Sequence, residues 1–287
     1  MPDETRSIVS ELLKEARQSA RRAKKVEEAL KILEKEDSGV SDLAGAARCI
    51  AERGGTDERW VAVRKEAERR LERARIKAGM RLTSALEAAG AEAGYELHKL
   101  SDRPLVLQLG ELSVECDLST NSAQLLFGRE VAREGLECEA REVLKARSEV
   151  LDLHASWSAN DGELFGRILA GYRMLLLREG STQGERVSLV DLLIPLSFLT
   201  SEPKAWRADG PRGLAPHSAH RLAFELSRLR RSGLLEHDGL RLDLGVATGG
   251  STANKRDVLF VPTSGAEGQY YGSIRFVEAT GRAEGES

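Results

Sequence analysis

Aromatic side chains are scarce in this chain, at 5% of 287 residues, and it holds only three cysteines. Cys49, Cys116 and Cys138 stand far apart, with no CxxC pair. That excludes a small disulfide-stapled fold and fits a reducing, cytoplasmic setting. Long apolar runs are missing too. The best stretch, SLVDLLIPLSFL at 188–199, is too short to cross a bilayer and contains Asp191. The opening MPDETRSIVSELLKEARQ has no apolar signal core, so a cytoplasmic protein without a membrane partner is expected. Charge of one sign is absent as well. With 43 basic and 46 acidic residues the net charge is −3, which rules out a chain-wide basic field for nucleic acid and requires any such contact to use a local patch.

The motifs of several common chemistries are also lacking. The chain has no GxSxG elbow, no HExxH helix and no CxxC pair. TGGSTANKR, at 248–256, resembles a phosphate loop in composition but lacks the GxxxxGK[ST] spacing and a following helix. His217 and His220 stand at i,i+3, yet a metal would need a third ligand such as Glu236 or His237 to fold back. Glu111, Glu115 and Asp117 share a strand face without the lysine at ExK offset that magnesium nucleases use, so a solvated face is expected. His98 and His154 look isolated, and Cys49 and Cys116 read as core residues. The expectation is a non-enzymatic protein with no cofactor and no metal.

What is present in abundance is Leu, Ala, Glu and Arg, which favours helix. Residues 5–36 read as one long helix, with Ile8, Leu12, Ala16, Ala23, Val26, Leu30 and Leu33 at helical spacing. Its middle, KEARQSARRAKK, is basic and thin in large apolar groups: a solvated face, or an arm touching phosphate or an acidic partner. A second helix, LAGAARCIAERGG, is capped by Ser41 or Asp42, and a third runs from about 57 to 90 behind Thr56 or Asp57. Trp60, Val63, Ala67, Leu71, Ala74 and Ala78 form its stripe, with i,i+4 pairs such as Glu66–Arg70 on the wet side. The first hundred residues thus form a helical arm, a hairpin or short coiled coil suited to oligomerisation or docking.

At Pro104 the period changes from helical to two. Leu112, Val114, Cys116 and Leu118 alternate with Glu111, Ser113, Glu115 and Asp117, STNS turns, and Ala123–Phe127 return: a small antiparallel meander of two or three strands. Helix resumes over 136–156. Leu164, Ile168, Tyr172, Leu175 and Leu176 then mark a helix, and ERVSLVDLLIPLSFL a second, capped by Ser188 and kinked at Pro195. A Pro/Gly-rich loop follows at 201–216, then a helix over 217–231, a strand, a Gly-rich loop and a last strand; the tail at 279–287 is expected to be disordered.

That order, together with RLRRSGLLEHDG…RLDL, gives residues 161–262 a resemblance to the winged helix-turn-helix superfamily. The expected fold is α+β and mostly helical, in four parts: an arm at 1–100, a meander plus helix at 101–157, a winged helix at 158–278 and the tail. On the helix at 217–231, Ala219, Leu222, Ala223, Leu226 and Leu229 form the core side. His217, His220, Arg221, Phe224, Arg228 and Arg231 fall opposite, where a winged helix would present them to a major groove. Lys255 and Arg256 in the wing would meet phosphate. The resemblance thus implies contact with DNA or a DNA-associated assembly through His217, His220, Arg221, Arg228, Arg231, Lys255 and Arg256. Phe224 flanked by arginine also has the composition of a protein-binding hot spot. The alternative role is therefore a protein-binding adaptor of a larger ATPase, or of a defence or chromosome-organising complex. Residues 201–262 carry ten Lys/Arg against seven Asp/Glu, a small surplus that decides little between the two.

Overall fold

The computed structural model describes residues 3–157, 160–248 and 257–279, with only the backbone described at 3–13 and 205–206. Lys255, Arg256, the TGGSTANKR loop from Gly249 onward and the tail past Ala279 lie outside the described residues. The fold is mixed α+β and 56% helical, with antiparallel sheets.

Three helices build the arm: α1 (Asp3–Glu34), α2 (Val40–Arg53) and α3 (Glu58–Ala93). Asp57 caps α3 by accepting a hydrogen bond from the Trp60 amide at 3.1 Å, and Gly94 ends it in the left-handed conformation at φ 75°. Helix α2 starts earlier than its Ser and Asp suggest. Gly39 takes the N-cap position, and Asp42 falls in the first turn, where its charge still meets the helix dipole. The seam of α1 is also shorter than its spacing implies: Ala16 and Ala23 are exposed, and burial starts with Val26, Ala29 and Leu30. Ala29, Ala46, Ile50 and Ala67 make a small cluster among the three helices. Arg70 does not pair with Glu66, which binds Arg69 instead; the Arg70 guanidinium donates to the Leu33 and Lys35 carbonyls and so closes the C-terminal end of α1.

The meander has five strands where two or three are expected: β1 (Leu97–Asp102), β2 (Leu105–Leu109), β3 (Leu112–Asp117), β4 (Ser122–Phe127) and β5 (Glu130–Glu137), paired in sequence order. Both edge strands are unreadable for the same reason. Edge strands expose most of their side chains, so LHKLSD and EVAREGLE lack a clean apolar alternation. Helix α4 (Ala140–Ser156) begins only after β5 has finished.

Helix α5 (Asp161–Glu179) buries Leu164, Ile168, Tyr172, Leu175 and Leu176. The segment expected to be one helix behind Ser188 divides instead into β6 (Val187–Ser188), a 3-10 turn at Val190–Leu192 and α6 (Leu193–Thr200). Val187 is drawn into the sheet opposite Ile274, and Pro195 sits in the first turn of α6, where no amide is needed. A short α7 (Pro203–Asp209) interrupts the long loop before α8 (Ala219–Ser232), which Ser218 caps and Gly233 ends. The strands β7 (Glu236–His237), β8 (Leu240–Val246), β9 (Leu259–Ser264) and β10 (Glu267–Glu278) follow. They form a second sheet in the order β6-β10-β8-β7, with β9 also on β10.

One continuous core runs from Leu82 and Leu86 of α3 through the meander to Phe276 of β10. Helix α3, ~54 Å long at 1.5 Å per residue, therefore has one half in the small arm cluster and the other in the main core. Leu125, in β4, is fully buried. Replacing it with Ala is expected to cost about 2–5 kcal/mol, read as a lower urea midpoint for the main core. Ile50→Ala should instead lower amide-exchange protection in α1 and α2 and leave that midpoint nearly in place.

Candidate interaction site

Helix α8 is the element that the winged-helix resemblance assigns to DNA, and its surroundings decide what it can touch. Leu222, Ala223, Leu226 and Leu229 are buried as expected, and Ala219 is half-buried. The opposite face is covered too. His217 is 3% exposed, His220 3% and Phe224 6%. Phe224 stacks on His154 of α4 at 4.1 Å between ring centroids and meets Phe127 of β4 edge-on at 5.8 Å. His220 brings its Nε2 to 2.7 Å from His154 Nε2, and Trp157 stands edge-on to its ring at 5.2 Å. Phe127, His154, Trp157, His220 and Phe224 thus form a five-ring cluster between meander and C-terminal helices. The outward orientation expected for His217, His220 and Phe224 is corrected here. Imidazole and phenyl rings have enough area to fill a second interface, and the histidines find their polar partners inside it.

The arginines of α8 are engaged with carboxylates. Glu225 is fully buried, and Arg221 Nε donates to its Oε1 at 3.0 Å. Arg167 Nη2, from α5, reaches the same oxygen at 3.4 Å, while His217 Nε2 lies 3.1 Å from Oε2. Burial by itself would raise the Glu225 pKa, but the His217 hydrogen bond and the charges of His217, Arg167 and Arg221 outweigh it and hold the carboxyl below its usual range. Arg221 also lies 5.3 Å from the centre of the Trp157 ring. Arg228 pairs with Asp161 of α5 at 2.7 Å, and Arg231 pairs with Glu111 of the meander. Three expected phosphate or base contacts, Arg221, Arg228 and Arg231, therefore spend their charge on the fold, and the last two tie α8 to its neighbours.

The residues that complete this site, His154, Phe127, Trp157, Arg167 and Glu225, were not singled out as site residues in the sequence. His154 and Trp157 lie at the end of α4, more than sixty residues from α8, and no local pattern pairs them. Glu225 alone left a trace, as the one carboxylate in an otherwise basic helix. A cation site at His217 and His220 does not assemble, because the two rings face different partners, and among the described residues no group of three or more His, Cys, Asp or Glu is placed to hold a metal. Glu111, Glu115 and Asp117 also diverge: Glu111 pairs with Arg231, and Asp117 holds the Ser119 turn. The Cys138 thiol donates to the Asp117 and Ser122 carbonyls beside Cys116, so two cysteines distant in sequence meet at one end of the sheet. An open groove of about 1110 Å³ lies between α3 and the meander, lined by Ile76, Met80, Leu97, Leu105 and Leu118 under a mixed-charge rim. Among the described residues no helix is long and apolar enough to cross a membrane. No protein-family model, curated protein or solved structure matches the chain.

The histidine pair makes the joint sensitive to acid. Burial pushes His154 down to about 4 and His220 down to about 3, the latter with further help from His154. In the unfolded chain both titrate near ~6.5, so below that pH the unfolded state binds more protons than the folded one. Stability is therefore full above the unfolded value and falls as pH drops toward 4, with a limiting slope of about 2.7 kcal/mol per pH unit for two protons. Urea midpoints at neutral pH and near pH 5 should differ clearly. A His154→Leu/His220→Leu double variant should lose most of that difference; an undiminished difference would place the acid sensitivity elsewhere.

Proposed function

We propose that this chain is a non-enzymatic adaptor in a DNA-associated assembly, in which a winged-helix unit serves as a structural hub rather than a groove reader. The observation that carries this reading is the enclosure of α8. A recognition helix needs one free face, and the face that would enter the groove is packed on α4 and β4. The winged-helix assignment itself draws support from the order α5, α6, α8, β8, β10, and from β10 lying between β6 and β8. Protein docking draws support from the outer surfaces of the packed α5–α6 pair, where Leu177 is 84% exposed and Ile194 69% exposed, with Met174 and Phe198 beside them in the helical repeat. Apolar side chains grouped in this way on a helix pair are characteristic of surfaces that a partner covers.

The adaptor reading reverses what the arginines of α8 are expected to do. An Arg228→Ala/Arg231→Ala variant should bind duplex DNA with the affinity and salt dependence of the unaltered chain, while its unfolding free energy falls by about 0.5–2 kcal/mol through two lost ion pairs. Fluorescence anisotropy across a salt series, with urea unfolding of the same samples, makes both readings. A salt slope reduced by about 2 would return α8 to the DNA interface and overturn the adaptor role.

A further inference from the structure

Arg221, Arg228 and Arg231 of α8 sit on carboxylates, but among the described residues the basic stretch of α1 has no such partners. Residues 14–25, KEARQSARRAKK, hold six cations and one carboxylate in a chain whose net charge is −3, so the remainder of the molecule is net acidic. Every residue from Lys14 to Lys25 is exposed. Among the described residues none of these six side chains has a carboxylate within ion-pair distance; the first pair on α1 is Lys31 with Glu27, beyond the basic stretch. The contrast with Arg221, Arg228 and Arg231, each on a carboxylate, is plain.

Helical geometry sorts the cations further. At about 100° per residue, Lys14, Arg17, Arg21, Lys24 and Lys25 fall within roughly 100° of arc, with Ala20 and Arg22 on its flanks and Ala16 and Ala23 turned away. The stripe extends ~16 Å along the axis. Its length and uniform sign require an extended polyanion. A second copy of α1 would repel it. A bilayer would require large apolar groups on the reverse face, where the helix has alanine. Duplex DNA supplies a phosphate every ~3.4 Å of axis along each strand, so a rod of this length can neutralise about five phosphates of one strand.

We propose that the α1 stripe binds the phosphate backbone of duplex DNA without reading its sequence. The inference rests on the adaptor reading above, and supplies the DNA contact that α8 does not make. Gln18 and Ser19 are the only uncharged hydrogen-bonding side chains in the stretch, so the contact is chiefly one of cations with phosphate. The anchorage is in place: beyond Lys25, Ala29 packs into the arm cluster and Arg70 closes the last turn, so the stripe projects from a fixed end.

The test uses the full chain and a labelled duplex of arbitrary sequence, roughly 20 base pairs long, titrated between about 50 and 200 mM salt. Affinity should fall with a log–log slope of about −4 to −5, and should be alike for two unrelated duplexes. Arg17→Gln/Arg21→Gln/Lys24→Gln keeps good helix formers in place and removes three cations. It should shrink the slope by about 2.7 and weaken binding at the low-salt end by one to two orders of magnitude, roughly, with an unchanged circular dichroism spectrum. A wild-type chain that binds, beside a triple variant with the same slope, would overturn the stripe and leave the adaptor reading standing. No binding by the wild-type chain at low salt would overturn the stripe as well, and would leave the adaptor reading to rest on its protein-docking surface. Polyglutamate competing as well as duplex, charge for charge, would overturn the assignment to DNA.

Discussion

The contact of Phe224 and His220 with Phe127, His154 and Trp157 joins two halves that the chain builds separately. Without it the meander would expose the end of β4, and α8 would present a face of rings and arginines to water. With it, both sheets share one core, against which α4 buries the stripe of Val143, Ala146, Val150 and His154. The cluster is also selective. Two imidazoles 2.7 Å apart tolerate burial only while at least one is neutral, which gives the joint a lower pH limit as well as an area.

The electrostatics of the body follow from that packing. Covering α8 strands Glu225 away from water, and a buried carboxylate is costly unless it is paired and hydrogen-bonded. His217, Arg221 and Arg167 supply the pairing, and Arg228 and Arg231 reach outward to Asp161 and Glu111. The helix is therefore nearly closed electrostatically. The concentration of unpaired positive charge among the described residues lies instead on residues 14–25 of α1, all of them exposed.

Helix α3 connects the two regimes. Its first half packs with α1 and α2 through small side chains, and its second half puts Leu82 and Leu86 under the meander. At position 79, glycine lets the helix approach Leu105 and Leu118, with ordinary van der Waals room for no more than a methyl group. The arm cluster has few large apolar residues, and residues 14–25 of α1, before it, are exposed.

Local rules on the sequence account for much of the architecture. Helical periodicity, Asp57 and Ser218 as caps, and the glycines at 94 and 233 mark α3 and α8; alternation at Leu112, Val114 and Cys116 marks β3. These signals depend on neighbours within a few residues, so they survive without knowledge of the fold. The edge strands and the short β6 do not, because their pairing depends on a partner strand rather than on their own pattern. The orientation of α8 belongs to the same class. On the face opposite its leucines, His220 and Phe224 are buried as well, since a helix wheel distinguishes Leu from Arg and cannot see His154 and Trp157 arriving from α4. Composition alone set the balance of charge and the basic stretch of α1; only the tertiary structure decided which cations are neutralised, because an ion pair depends on a carboxylate brought close in space, not on the count of charges along the chain.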